Sequence, residues 1–287
     1  MGSPLKVKAV QDLLKMEVFN LLLIQETKVD ENLILKIGKE KWKKDAGIAV
    51  SARGASGGLA TLWAEKYFET LNSFATQHWI YTELKHRNTE LRIALFNIYA
   101  PAHYKEKKDC WGTISDLIAA YSLTNIVLTR DMNMVLNSNE KKGGYFGNDT
   151  QRNQILDIIR KNDLWDIKPK KGKYTWSNKR VGSNHIAARL DRFLIQGNIL
   201  TEGKIIHSTL LPNLASDHKP ITLSIKEEEN LGPIPFRFNP LWASETSFEE
   251  IVKEAWSKPV KGSLGFVWEG KLKNTKNALK EWSKKSL

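Results

Sequence analysis

Cysteine is all but missing from the chain: Cys110 stands alone in 287 residues. A single thiol excludes an internal disulfide and any zinc site built on cysteine pairs, and its helix-like surroundings mark it as a packing residue. No apolar run approaches the roughly 20 residues needed to cross a bilayer. The opening Met1-Gly2-Ser3-Pro4 leads straight into a lysine-bearing amphipathic segment, without the tripartite pattern of a signal peptide. Gly2 does not start a myristoylation motif, because position 6 is Lys6 rather than Ser or Thr. Internal repeats and low-complexity tracts are absent too. Together these absences predict an intracellular protein with no membrane partner.

Positive charge, by contrast, is plentiful. Lys and Arg number 44 against 32 Asp and Glu, a formal net charge of +12. Such an excess favours polyanionic partners, with nucleic acid first, although a basic protein that is merely soluble fits as well. An apolar content of 41% and a length of 287 residues suffice for a sizeable core without staples.

Apolar periodicity then divides the chain. Val10, Leu13, Leu14 and Val18 recur at helical spacing, and Phe19–Ile24 is a short apolar run that predicts a buried strand ending at Gln25-Glu26-Thr27-Lys28. Ser56-Gly57-Gly58 breaks the chain before a strand over Leu59–Trp63. Trp79–Leu84 and Leu91–Tyr99 predict paired strands around Arg87-Asn88, and Pro101 ends the second. Trp111, Ile114, Leu117, Ile118 and Tyr121 make one helical face, Asn125–Leu128 a core strand, and Ile155, Ile158 and Ile159 a helix opened by Thr150. Tyr174–Ser177 and Ala188–Ile195 predict two strands joined as a hairpin through Asn178–His185. Strands intermixed with helices, several of them antiparallel neighbours, predict an α/β sandwich of two packed sheets with outer helices.

Composition shifts after Ile225. The expected division is a main domain over 1–226, a Gly-Pro-bearing linker over 227–243 and a helical extension over 244–287. In the extension, Ser247 and Glu250 have capping-box spacing ahead of an apolar face of Phe248, Ile251, Val252, Ala255 and Trp256.

Polar residues recur where apolar strands end. Glu26 follows Leu21–Ile24; Asp131 and Asn133 follow Ile126–Leu128; Asp191 interrupts a strand between Leu190 and Phe193; Ser216-Asp217-His218 opens the final strand. Strand ends at one edge of a sandwich converge, so these side chains are expected to share a surface pocket. An oxygen-rich set of carboxylates and one amide suits a hard cation, Mg²⁺ or Mn²⁺, better than zinc. Each residue also has a plain structural role open to it: Glu26 as a solvated strand exit, Asp131 and Asn133 as an Asx turn, Asp191 as the partner of Arg189 or Arg192, and Asp217-His218 as a turn.

Gln25-Glu26-Thr27-Lys28, Asn97-Ile98-Tyr99-Ala100-Pro101, Asp131-Met132-Asn133, Tyr174-Thr175-Trp176, Arg189-Leu190-Asp191 and Ser216-Asp217-His218 occur in that order. In this the chain resembles the endonuclease/exonuclease/phosphatase superfamily, and more narrowly the apurinic-type endonuclease domain of plant LINE-type (non-LTR) retrotransposon polyproteins. The resemblance runs from about Leu5 to Ile225 and continues into Gly232–Phe238 and the Trp-bearing helices, which look like the connector before a reverse transcriptase. It implies a four-layer α/β sandwich of two mixed sheets flanked by helices, lacking the first strand, which in the family carries a Trp-Asn pair. It implies a Mg²⁺-dependent (or Mn²⁺-dependent) DNA endonuclease, nuclear in setting and without a small-molecule cofactor, that leaves a 3′-hydroxyl and a 5′-phosphate. By the same resemblance Glu26 and Asp217 would hold the metal, Tyr99 and Asn133 would contact the scissile phosphate, and Asp131 would orient water or protonate the leaving oxygen. Asp191 would pair with His218. Lys173, Thr175, Trp176 and Lys179 would contact DNA phosphates, a solvated hairpin being the plain alternative there. Thr129-Arg130 replaces the glycines usual before Asp131 and is expected to set a bulky cation beside the metal. A phosphatase of the same fold and an inactive nucleic-acid-binding remnant are the competing readings.

Overall fold

The computed structural model describes residues 1–287 except 55, 90, 102, 121–124, 148–149, 197–198, 201–203, 213–215, 228–244 and 287. It divides into two compact units, Met1–Glu228 and Glu229–Leu287. The expected linker over 227–243 falls almost wholly outside the described residues, as does the side chain of Arg130.

In chain order the first unit contains α1 (Pro4–Met16), β1 (Leu21–Gln25), α2 (Glu31–Trp42), β2 (Ala46–Val50), β3 (Leu59–Trp63), β4 (Phe68–Ala75), β5 (Trp79–His86), β6 (Arg92–Tyr99), α3 (Tyr104–Ala120) and β7 (Ile126–Asp131). There follow β8 (Lys141–Lys142), α4 (Thr150–Lys161), β9 (Leu164–Asp166), β10 (Trp176–Ser177), β11 (Ala187–Ala188), β12 (Asp191–Gln196), β13 (Lys204–Leu210) and β14 (Ile221–Glu227). One sheet has six strands in the order β4-β5-β6-β7-β12-β9, and β6 and β7 are its parallel pair, bridged by α3. A second layer comes in two pieces, β1-β3-β2 and the hairpin β13-β14.

Period-two alternation explains the layering. On one face of the six-stranded sheet, Phe96, Ile98, Ile126, Leu128 and Leu194 pack against Trp111, Ile114 and Ile118 of α3 and Ile155 and Ile158 of α4. On the other face Leu95, Val127 and Ile195 meet Leu21 and Leu23 of β1 and Leu223 and Ile225 of β14. The intervening residues of β1, Leu22 and Ile24, turn outward onto Ile34 and Trp42 of α2 and Val10 and Leu14 of α1. The result is helices, sheet, split sheet, helices: the four layers expected from the sequence.

Three expectations need correction. The strand predicted over Ala188–Ile195 is two strands, β11 and β12, in different sheets. The break falls at Arg189-Leu190 because Arg189 N–H donates to the Glu140 carbonyl (2.9 Å) and the Thr175 hydroxyl accepts from Leu190 N–H and Asp191 N–H (3.0 Å each). The final strand begins at Ile221, so Asp217 and His218 stand in the loop before it. There Ser177 N–H reaches the Asp217 carbonyl (3.2 Å) and Lys219 N–H the Thr175 carbonyl (2.7 Å). Third, Ser247 forms no capping box: its hydroxyl makes no cap hydrogen bond and instead accepts the Trp282 indole N–H (3.0 Å).

The second unit is a helical pair, α5 (Phe248–Ser257) and α6 (Leu264–Ser286). Ala255, Leu279 and Trp282 are buried, and Trp256 meets Trp268 edge to face at 5.4 Å.

Candidate active site

The site is built on one row of the six-stranded sheet. β6 and β7 pair so that Tyr99 lies beside Asp131, and β7 and β12 pair so that Asp131 lies beside Asp191. Residues in register on adjacent strands project to the same face. Three polar side chains at three apolar strand ends are therefore brought together by pairing alone.

His218 closes the row from the split layer. Its Nδ1 lies 3.0 Å from Asp191 Oδ2, and its Nε2 lies 3.8 Å from Asp131 Oδ2. Burial pushes the imidazole pKa down, but the hydrogen bond and charge of Asp191, with the charges of Asp131 and Asp217, raise it to about 9. His218 is thus an imidazolium at neutral pH. Asp191 does not pair with Arg189 or Arg192, because both guanidiniums turn the other way, into a buried cluster with Glu140 and Asp166. Asp131 Oδ1 accepts Asn133 N–H (2.9 Å), the Asx turn expected for that pair, and Asn133 Nδ2 donates to the Ala100 carbonyl (3.3 Å).

Glu26 joins the row from β1. The Tyr99 hydroxyl donates to its Oε1, and Lys28 Nζ lies 3.0 Å from Oε2. Burial raises the Glu26 carboxyl pKa, but the Tyr99 and Lys28 hydrogen bonds and the charges of Lys28 and His218 outweigh it, leaving the group below its usual value. The same carboxylate raises the Tyr99 phenol further than burial does alone. The turn carrying Glu26 is held by Gly57 and Gly58, whose carbonyls accept from Lys28 N–H and Thr27 N–H (3.1 Å each). Gly58 has φ +84°, and a Cβ there would fall 2.2 Å from Thr27 Oγ1, so only glycine fits. Glu26, Lys28 and Asn133 themselves have φ of 51°, 56° and 48°. Left-handed non-glycine residues each cost on the order of 1–3 kcal/mol and gather where function over-determines the backbone.

Asp217 lies beside His218 in the chain. Its Oδ2 accepts the Trp176 indole N–H (3.0 Å). Burial pushes the carboxyl pKa up, and the Trp176 bond, its own N–H and the charge of His218 bring it below the ordinary value. Glu26 and Asp217 are both ionised oxygen donors, the form a hard cation needs, and the Lys28 ammonium already lies on Glu26. Asp131, Asp191 and His218 offer three ligand atoms within 4.8 Å of one another, and there His218 Nδ1 lies 3.0 Å from Asp191 and Nε2 3.8 Å from Asp131.

The residues expected to touch DNA divide. Lys173 and Lys179 are exposed and Trp176 half-exposed, but Thr175 is fully buried, its hydroxyl spent on the start of β12. Two polar residues next to the expected set, Gln25 and Asn97, were given no role by sequence reasoning. The signal for Asn97 was present, since an amide inside the apolar run Ile93–Ile98 needs buried partners.

Solved structures share this arrangement of layers. An apurinic endonuclease from Leishmania major superposes with a TM-score of 0.60 at 14% identity, covering 78% of this chain and 84% of that one. The fold is that of the endonuclease/exonuclease/phosphatase superfamily. The endonuclease domain of TRAS1, a telomere-specific non-LTR retrotransposon, shares the superfamily fold with a TM-score of 0.56 at 14% identity, covering 79% of this chain and 95% of that one. A mannosyl-6-phosphatase from Bacteroides thetaiotaomicron shares it at a TM-score of 0.54 and 13% identity, over 77% of this chain and 90% of that one. No protein-family model matches the chain, and no curated protein sequence does.

Proposed function

We propose that the chain is a divalent-metal-dependent DNA endonuclease, derived from a non-LTR retroelement and acting in the nucleus. The register-aligned row Tyr99–Asp131–Asp191, closed by His218 and joined by Glu26, carries this reading. A bound Mg²⁺ or Mn²⁺ would offset phosphate charge and act as a Lewis acid; Glu26 and Asp217 would hold it. Tyr99 and Asn133 would position the scissile phosphate. Asp131, buried and bracketed by Tyr99 and His218, would orient the attacking water or return a proton to the leaving oxygen. Asp191 on Nδ1 would keep Nε2 directed at Asp131. Lys173, Trp176 and Lys179 would track the DNA backbone, with Thr175 holding that loop from below. The helical pair would be the connector that precedes a reverse transcriptase in such elements.

The phosphatase shares the fold about as well, so the substrate argument rests on charge. A net +12 suits a long polyanion better than a small phosphoester. The test is nicking of supercoiled plasmid with Mg²⁺. Nicking should vanish with chelator and in Asp217→Ala, and duplex affinity should fall as salt rises. Hydrolysis of a sugar phosphate with no nicking, or an affinity indifferent to salt, would overturn the reading.

The split second layer bears on competence. Among the described residues β1 pairs only with β3 and β14 only with β13, while Leu21, Leu23, Leu223 and Ile225 stay half-buried over the same core. Unpaired strand edges invite association. A further apolar strand paired to either edge would cover them. A version of the chain fused to one apolar strand should melt higher, stay monomeric at higher concentration and nick faster. Equal nicking and melting with and without it would show that the seam needs no strand.

A further inference from the structure

We infer that Gln25 and Asn97 form an amide relay that fixes the distance between the Glu26 carboxylate and Asp131, and are positioning residues of the proposed site; the inference rests on that reading. Gln25 is the last residue of β1, one before Glu26. Its side-chain oxygen accepts the backbone N–H of Asp131 in β7 at 3.0 Å, and its side-chain nitrogen donates to Asn97 Oδ1 in β6 at 3.2 Å. Asn97 is fully buried and spends its own NH₂ on β1 and β3: on the Ala60 carbonyl (3.0 Å), Thr61 Oγ1 (3.3 Å) and the Ile24 carbonyl (3.4 Å).

The two amides thus bridge facing sheets that also pack through the apolar side chains of Leu21, Leu23, Leu95 and Val127. Apolar packing is non-directional and lets layers slide; hydrogen bonds between fixed amides do not. The bridge also ends on the residues that matter, because one end is covalently adjacent to Glu26 and the other holds the backbone of Asp131. Tyr99 adds a second link, its hydroxyl reaching Glu26 from the strand beside β7.

Outer partners that orient metal-binding groups typically change metal affinity or activity by about 10–100-fold. The experiment compares wild type, Gln25→Ala, Gln25→Met and, as a core control far from the relay, Ile114→Val. Mn²⁺ affinity is titrated without DNA, and kcat and KM are measured for nicking. Both Gln25 variants should weaken Mn²⁺ binding about tenfold and lower kcat, while KM for DNA stays near wild type; Ile114→Val should lower only the melting temperature. Methionine restores the volume of glutamine but not its hydrogen bonds. If Gln25→Met binds Mn²⁺ and nicks like wild type, Gln25 is packing and the relay is overturned; wild-type behaviour of both variants overturns it equally. If wild type itself neither binds Mn²⁺ nor nicks, the endonuclease reading fails, and the relay has nothing to position.

Discussion

Replacing Glu140 by alanine is expected to cost about 3–5 kcal/mol, the range for breaking a buried ion pair by removing one partner. Glu140 is 4% exposed; its Oε1 lies 3.1 Å from Arg189 Nη1 and 2.8 Å from Arg192 Nη1, and its Oε2 accepts from Arg192 Nη2, Leu136 N–H and Asn137 N–H. Asp166 accepts from Arg189 Nη1 and Nη2 and from Arg192 Nη1 at 2.5–2.9 Å. Two buried cations therefore face two anions, and the alanine variant leaves the fully buried Arg192 sharing Asp166 with Arg189. A unit of this size loses roughly 2–4 °C of melting temperature per kcal/mol, so a fall of about 6–20 °C is expected. Glu140→Gln, which keeps the shape, should fall less. A shift under about 2 °C for the alanine variant would show that the cluster contributes little. Burial raises the Glu140 pKa, but the Arg192 bond and charge outweigh it and hold the group at about 2, below its ordinary 4.5. A depressed carboxyl stabilises above its unfolded value, so this contribution is present above pH 4.5 and lost as pH falls towards 2.

The second large effect is on rate. His218→Ala should slow nicking by about 10²–10⁴-fold, the usual worth of a positioned proton donor or acceptor. Asp191→Asn should approach the same loss while leaving the fold intact, since it removes the charge that holds Nδ1 protonated. The two together should cost little more than either alone, because they act as a unit. The raised pKa of His218 has a definite sign: its stabilising interaction is complete below pH 6.5 and lost as pH rises through about 9. Nicking by wild type should fall over the same upper limb, and in Asp191→Asn that limb should move down towards 6.5. An unchanged limb would mean that His218 does not carry the proton that matters.

Strand ends were the legible part of this molecule. Leu21–Ile24, Ile126–Leu128 and Leu91–Tyr99 are continuous or alternating apolar runs, and the polar residues that stop them are the ones that meet. What escaped was whatever lacked a clean period. β4 is an edge strand exposed along most of its length, so it shows no alternation. α2 buries Ile34, Gly38 and Trp42 on one stripe, and the glycine hid the pattern; a Cβ there would fall 3.0 Å from Leu62 Cδ1. The break inside Ala188–Ile195 depends on a hydroxyl from Thr175, distant in sequence and invisible to any window of neighbours.

The two pieces of the second layer divide the candidate site between them. Glu26 follows β1 in one piece, Asp217 and His218 precede β14 in the other, and the six-stranded sheet supplies Tyr99, Asp131 and Asp191. A shift of one piece against the other is therefore expected to change the separation of these charged groups. A duplex or a second chain that binds both pieces would then tune the centre without touching one of its side chains.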